Sequence, residues 1–172
     1  LCFLIKDYYI MSIVGSTVNS SGGQTPVYWD SFDQTAPPTP LTLPNGVSEG
    51  NASGINNLGK IVGNTINSIG VITPVYWDSF DQITPPTSLT LPNGVSDGSA
   101  KGINNLGKIV GYTINSSNQQ TPVYWDSFDQ TAPPTPLTLP NGVIRGIAAG
   151  INNLGEIVGN TLTSIGVITP VY

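Results

Sequence analysis

The 172-residue chain has no histidine, a single cysteine and five basic residues, and each shortage removes a class of function. Cys2 alone can build neither a disulfide framework nor a thiol metal site. Without imidazole, acid, base and nucleophile roles fall to Asp, Glu, Lys, Ser, Thr and Tyr. Five basic against ten acidic residues give a net charge of −5, with no Lys/Arg cluster anywhere. Nucleic-acid binding, which runs on phosphate neutralisation, is therefore not expected, nor is membrane-surface binding through a basic amphipathic stretch. No apolar run approaches the roughly 18 residues that span a bilayer, so membrane insertion is not expected. The opening LCFLI is too short for a signal-peptide core and lacks both a basic segment before it and a small-residue cleavage site after it. If Met11 is the start, no targeting segment is expected in the chain; if it is not, the signal lies upstream.

Charge is scarce in both signs. Charged residues make up 9% of the chain, against roughly 25% in an average domain, so Asn, Ser, Thr, Gln and Gly must form most of the surface. The hydrophobic share of 38% is not depleted, which argues against disorder and for a turn-rich β structure with a core of its own.

What the chain has in abundance is internal copies. Trp29, Trp77 and Trp125 stand 48 residues apart, each inside PVYWDSFDQ. Adding 48 also aligns Ile13-Val14-Gly15 with Ile61-Val62-Gly63, Ile109-Val110-Gly111 and Ile157-Val158-Gly159. Four copies, over about 1–48, 49–96, 97–144 and 145–172, make one repeat domain whose outer copies are incomplete. Asp7 to Ser12 replaces the Ile-Asn-Asn-Leu-Gly segment of the other copies, and the last copy reads to Pro170-Val171-Tyr172, so a piece of a longer array is expected. A second period of 96 is present, because copies one and three share QTPVYWDSFDQTAPPTPLTLPNGV while copies two and four share SIGVITPVY. Duplication of a two-unit block accounts for it.

Residues 98 to 142 show the unit in full. Ser99 to Asn104 reads as strand A, Asn105-Leu106-Gly107 as a tight turn, Lys108 to Ile114 as strand B, and Thr121 to Asp126 as strand C. The tract DQTAPPTP excludes helix and central strand, Leu137-Thr138-Leu139 reads as strand D, and Pro140-Asn141-Gly142 closes the unit with a turn. Four short strands without helical periodicity are the content of a propeller blade, and a period of 48 lies in the blade range of roughly 40 to 50. A β-solenoid is the competing arrangement, with coils that are usually shorter. The expectation is an all-β, β-propeller-like array of four-stranded antiparallel blades, about 3.5 of them, open or incomplete. Strands B, C and D, then two full units, then A, B and C make fourteen strands, which leaves an open arc, a strained four-bladed ring or association with another copy. Open blade edges would favour self-association.

GINNLGKIVG followed by VYW resembles the HAF repeat of bacterial extracellular proteins, in which A-x-G-I-N-x-x-G-x-I-V-G precedes an aromatic-x-Trp segment. The resemblance covers all four copies, the first only through IVG and the aromatic half. It implies a secreted or surface-exposed repeat protein of β-propeller type, without an assigned enzymatic activity. Trp125-Asp126 is also similar to the Trp-Asp of WD-repeat propellers, but with no histidine the Gly-His half of that signature is missing.

The repeated pairs Asp30/Asp33, Asp78/Asp81 and Asp126/Asp129 could form a carboxylate dyad or a Ca²⁺ site. Turn capping is the preferred reading, because D-S-F-D-Q offers too few oxygens at alternate positions and an active site normally occurs once. Gly102 to Gly107 leads into a strand rather than a helix, so it lacks the context of a phosphate loop. No metal or cofactor is expected. The tryptophans are expected between blades as core, in preference to sugar-stacking platforms. Asn19, Asn51 and Asn115 head glycosylation sequons, which matter only in a eukaryotic secreted protein.

Differences between copies are more informative than the shared residues. They fall in residues 19 to 25, 67 to 73, 115 to 121 and 163 to 169, between strands B and C, and at Glu49, Asp97 and Arg145 before strand A. In a blade both connections lie on one face, which places Glu49, Ile69, Val71, Asp97, Ser117, Gln119, Arg145 and Ile165 on a candidate surface for a protein or glycan partner. The expected function is a non-enzymatic binding scaffold. A lectin-like module is the alternative, and a propeller hydrolase would need a unique carboxylate pair.

Overall fold

In the second copy Asn-x-x-Gly stands on either side of a β-branched run, Asn56 to Gly59 before it and Asn67 to Gly70 after it, and makes that run the middle of a three-way pairing; the third and fourth copies keep the arrangement with single replacements in the turns. The computed structural model describes residues 12–30, 35–78, 84–126 and 132–172. The first copy supplies β1 (Ile13–Val18), β2 (Gln24–Trp29) and β3 (Thr39–Pro40); the second supplies β4 (Glu49–Ile55), β5 (Ile61–Ile66), β6 (Ile72–Trp77) and β7 (Thr87–Ser88). The third supplies β8 (Asp97–Ile103), β9 (Ile109–Ile114), β10 (Gln120–Trp125) and β11 (Thr135–Pro136); the fourth supplies β12 (Val143–Ile151), β13 (Ile157–Thr163) and β14 (Ile168–Val171). Each copy is one antiparallel sheet in which strands pair in chain order, with three, four, four and three strands. The fourteen strands, all antiparallel, match the number expected from the sequence. Among the described residues there is no helix, and so none long and apolar enough to cross a membrane.

The hairpins share one chemistry. Asn104 Oδ1 accepts from the backbone N–H of Leu106 and of Lys108, both at 3.0 Å, while Gly107 N–H donates to the Asn104 carbonyl at 3.1 Å. Gly107 sits at φ 82, the left-handed region that a side chain resists. Asn67 repeats the pattern between β5 and β6, accepting from Ile69 and Val71 with Gly70 closing the loop. Between β9 and β10, Asn118 stands in for that glycine at φ 57, a conformation asparagine tolerates.

A second glycine is required for a different reason. The first strand of each full sheet carries a bulge, between Ala52 and Gly54 in β4 and between Ala100 and Gly102 in β8, and the residue opposite is the glycine of Ile-Val-Gly. A Cβ on Gly111 would lie 2.0 Å from the Ser99 carbonyl oxygen.

Each sheet packs face to face on the next. Tyr28 and Leu41 of the first sheet meet Ala52, Ile61, Val75 and Trp77 of the second; Val62 and Leu89 of the second meet Ala100, Ile109, Val123 and Trp125 of the third. Trp77 and Tyr76 belong to different layers, so the aromatic pair does point to opposite faces of its strand. Trp77 and Trp125 are each 2% exposed, and their indole N–H groups donate to Thr42 O and Thr90 O of the preceding sheet at 2.8 Å. Between-sheet core is the role expected for them.

The fourth strand of the unit lies earlier than its apolar pattern indicates. Pairing falls on Thr135–Pro136 instead of Leu137-Thr138-Leu139. Pro136 takes an edge position, where a missing N–H breaks no ladder. Leu137 N–H still bonds Pro122 O at 2.8 Å, after which the chain leaves the sheet. The counterparts Leu41 and Leu89 are almost fully buried, committed to the neighbouring sheet rather than to their own.

Candidate functional site

The connections that vary between copies gather at one end of the sheets. Glu49 pairs with Ile66, Asp97 with Ile114 and Arg145 with Leu162, so each first strand begins beside the hairpin that ends the second. A direct bond joins neighbouring copies there: Ile72 N–H donates to Asp97 Oδ1 at 2.9 Å, while Ser96 Oγ donates to Asp97 Oδ2 at 2.6 Å. Ile69, Ser117, Gln119 and Ile165 are exposed, and Glu49, Val71, Asp97 and Arg145 are half-buried. Arg145 Nε is buried without a hydrogen-bond partner.

The hairpin tips alternate in character. Ile69 and Ile165, 82% and 84% exposed, occupy the position filled by Ser21 and Ser117 in the other copies. Isoleucine held open to water at a turn tip carries binding potential that serine does not.

Asp78 and Asp126 are exposed and pair with Lys60 and Lys108, the latter at 2.9 Å. Asp126, by hydrogen bond and by charge, holds the Lys108 ammonium above its ordinary range. Asp33, Asp81 and Asp129 lie outside the described residues, as do Cys2 and Met11.

The opposite end of the sheets is built from residues common to the copies. Asn56 Nδ2 donates to Asn104 O at 3.0 Å and Asn104 Nδ2 to Asn152 O at 3.1 Å; Asn57 N–H bonds Asn105 Oδ1 and Asn105 N–H bonds Asn153 Oδ1, both at 2.9 Å. This lateral ladder steps 48 residues at a time. It aligns the exposed tips Leu58, Leu106 and Leu154 in a row that sequence reasoning passed over as turn residues.

A second omission is the cluster around Tyr112. Lys101 Nζ lies 5.7 Å from the centre of the Tyr112 ring, and Ser99, hydrogen-bonded to the Tyr112 hydroxyl, donates to Asn64 Oδ1 at 3.1 Å. Burial lowers the Lys101 pKa. Burial raises that of Tyr112, opposed by the Ser99 hydrogen bond. Both residues depart from the repeat, since Ser53 and Ala149 stand where Lys101 does and Ser16, Asn64 and Asn160 where Tyr112 does. That departure was the available signal.

No protein-family model, curated protein or solved structure matches the chain.

Proposed function

We propose that the chain is a non-enzymatic binding scaffold of β-propeller type, secreted or displayed at a cell surface, whose variable connections hold a protein or glycan partner. One observation carries the reading: substitutions between copies collect in hairpins at one end of the sheets, while the residues that build turns and core recur. The resemblance of GINNLGKIVG to the HAF repeat supports the extracellular location and the propeller arrangement, as does the face-to-face packing of successive four-stranded sheets.

A protein partner is favoured over a sugar. Trp77 and Trp125 are sealed between sheets, which removes the flat aromatic platforms on which pyranose rings stack, and the exposed tips carry isoleucine, serine and glutamine. The lectin-like alternative therefore rests on the half-buried tyrosines.

Exchanging residues 115 to 120 for the 67 to 72 version tests the surface. The intact chain is first screened on a glycan array and on a panel of extracellular proteins. The exchanged chain is expected to lose affinity for whatever is retained, and unchanged affinity refutes the assignment.

A further inference from the structure

At the junction of the second and third copies an acid closes the hairpin end. Ile72 N–H donates to Asp97 Oδ1 at 2.9 Å, and Ser96 Oγ donates to Asp97 Oδ2 at 2.6 Å. Adding 48 carries Ile72 to Gln120, Ser96 to Ile144 and Asp97 to Arg145. The register is kept, since Asp97 pairs with Ile114 and Arg145 with Leu162, its counterpart one copy later. The strands that frame Asp97, β6, β8 and β9, have β10, β12 and β13 in their places around Arg145.

The exchange puts a donor where an acceptor stands in the preceding junction. Pro122 O accepts from Leu137 on the side of β10 that faces away from β9, and alternation along the strand turns Gln120 N–H to that same side. The next copy meets it with a guanidinium, which carries only donors. Arg145 Nε is accordingly buried with no hydrogen-bond partner, and among the described residues Arg145 makes no ion pair. The hydroxyl of Ser96 is gone as well, replaced by Ile144, which is 46% exposed. We propose that Gln120 N–H and the Arg145 guanidinium form a binding site for a carboxylate, an aspartate or glutamate side chain of a protein partner, which takes the place that the Asp97 carboxylate holds one junction earlier.

The chemistry selects this ligand. A carboxylate brings two oxygens in one plane, one for a backbone N–H and one for the guanidinium fork, as the Asp97 oxygens serve two donors. A buried donor on a charged group is destabilising while unbonded, and an incoming carboxylate removes that burden. Arg145 is only half-buried, so its long stem can turn the guanidinium toward a ligand. Glu49 and Asp97 put acids at this position in the other two junctions, and Arg145 is the only arginine in the chain. Charge therefore restricts the site to one junction of the three. Assigning the carboxylate to a protein rests on the partner surface proposed above; the site itself does not, because a small carboxylate fills it without a partner.

Nuclear magnetic resonance of the 172-residue chain, titrated at constant pH and ionic strength with acetate and with acetamide, reads the site directly. One arginine gives one Nε–H resonance. Acetate should shift that resonance and the Gln120 amide together, and should bind about tenfold or more tighter than acetamide, its uncharged equivalent. Equal binding of the two, or shifts centred elsewhere, overturns the proposal. Arg145→Asp copies the residue of the preceding junction, so the Gln120 amide should exchange with solvent about tenfold more slowly and the response to acetate should vanish. Unchanged exchange would mean that the amide does not face residue 145, which also overturns it; should that variant fail to fold, retained acetate binding in Arg145→Gln does the same. Acetylated, amidated Gly-Asp-Gly binding about tenfold tighter than Gly-Asn-Gly supports a side-chain carboxylate. Acetate binding without that preference overturns the protein source. A failed hairpin exchange beside a positive acetate titration removes the partner surface and keeps the site, and the reverse pair of results removes the site and keeps the surface.

Discussion

Tryptophan and glycine divide the work of joining one copy to the next. An indole reaches into the preceding sheet, and the glycine of Ile-Val-Gly leaves room for the bulged strand beside it. Trp77→Ala is expected to cost about 3–5 kcal/mol in urea denaturation, and Trp29→Ala, from a half-buried position, less than about half of that. Gly111→Ala should cost about 3 kcal/mol or more, because the added methyl would collide with the Ser99 carbonyl. Gly70→Ala meets nothing nearby and carries only the strain of φ 85, about 1–2 kcal/mol. Lys101 and Tyr112 give stability opposite slopes at alkaline pH. The folded state holds the Lys101 proton less tightly than the unfolded chain, so the burden of its buried charge lifts as pH rises toward 10.5. The folded state holds the Tyr112 proton more tightly, so stability falls as pH climbs above 10.0. In a Tyr112→Phe background, stability should therefore rise toward pH 10.5, and adding Lys101→Met should flatten that rise.

At the level of strands and hairpins, most of the architecture could be read from spacing. Asn104 and Gly107, three apart before Ile-Val-Gly, mark a hairpin whose geometry demands both residues, and the run from Thr121 to Trp125 marks β10, although its proline, expected at the strand entrance, is the third residue of the strand and pairs with Tyr112. The last strand misled because Leu137-Thr138-Leu139 alternates as a strand does, while its leucines face another sheet and the Thr138 counterparts give their carbonyls to an indole. Alternation reports two faces without saying which neighbour covers them. The variable connections were visible in the sequence as differences, but the bond from Ile72 to Asp97 that ties two copies together was not, since it depends on how sheets stack. The asparagine ladder separates local from lateral bonding. Asn104→Ala removes two loop bonds and one bond to the next sheet and should cost about 2–3 kcal/mol, whereas Asn152→Ala, in an exposed loop, should cost about 1 kcal/mol. Equal losses would show that the lateral bond contributes nothing.

Across the whole molecule, each sheet depends on its immediate neighbours, so stability should be graded from the middle outward. Val62 and Val110 are fully buried, whereas the corresponding Val158 of the fourth sheet is 52% exposed. Hydrogen exchange should therefore be slowest at the amides of β5 and β9 and faster by at least about tenfold in β13 and β14. Uniform protection over the four sheets would instead mean that the array opens as one unit. No sequence pattern could have ranked the copies in this way, because Val62, Val110 and Val158 stand in the same Ile-Val-Gly motif and differ only in what lies against them.

The indole bonds also have a direction. Trp77 and Trp125 both bond to a carbonyl 35 residues behind them, never ahead. On a ribosome, each newly emerging sheet therefore meets an acceptor already synthesised and walls already in place, and the array can be laid down in the order of translation, one rung at a time.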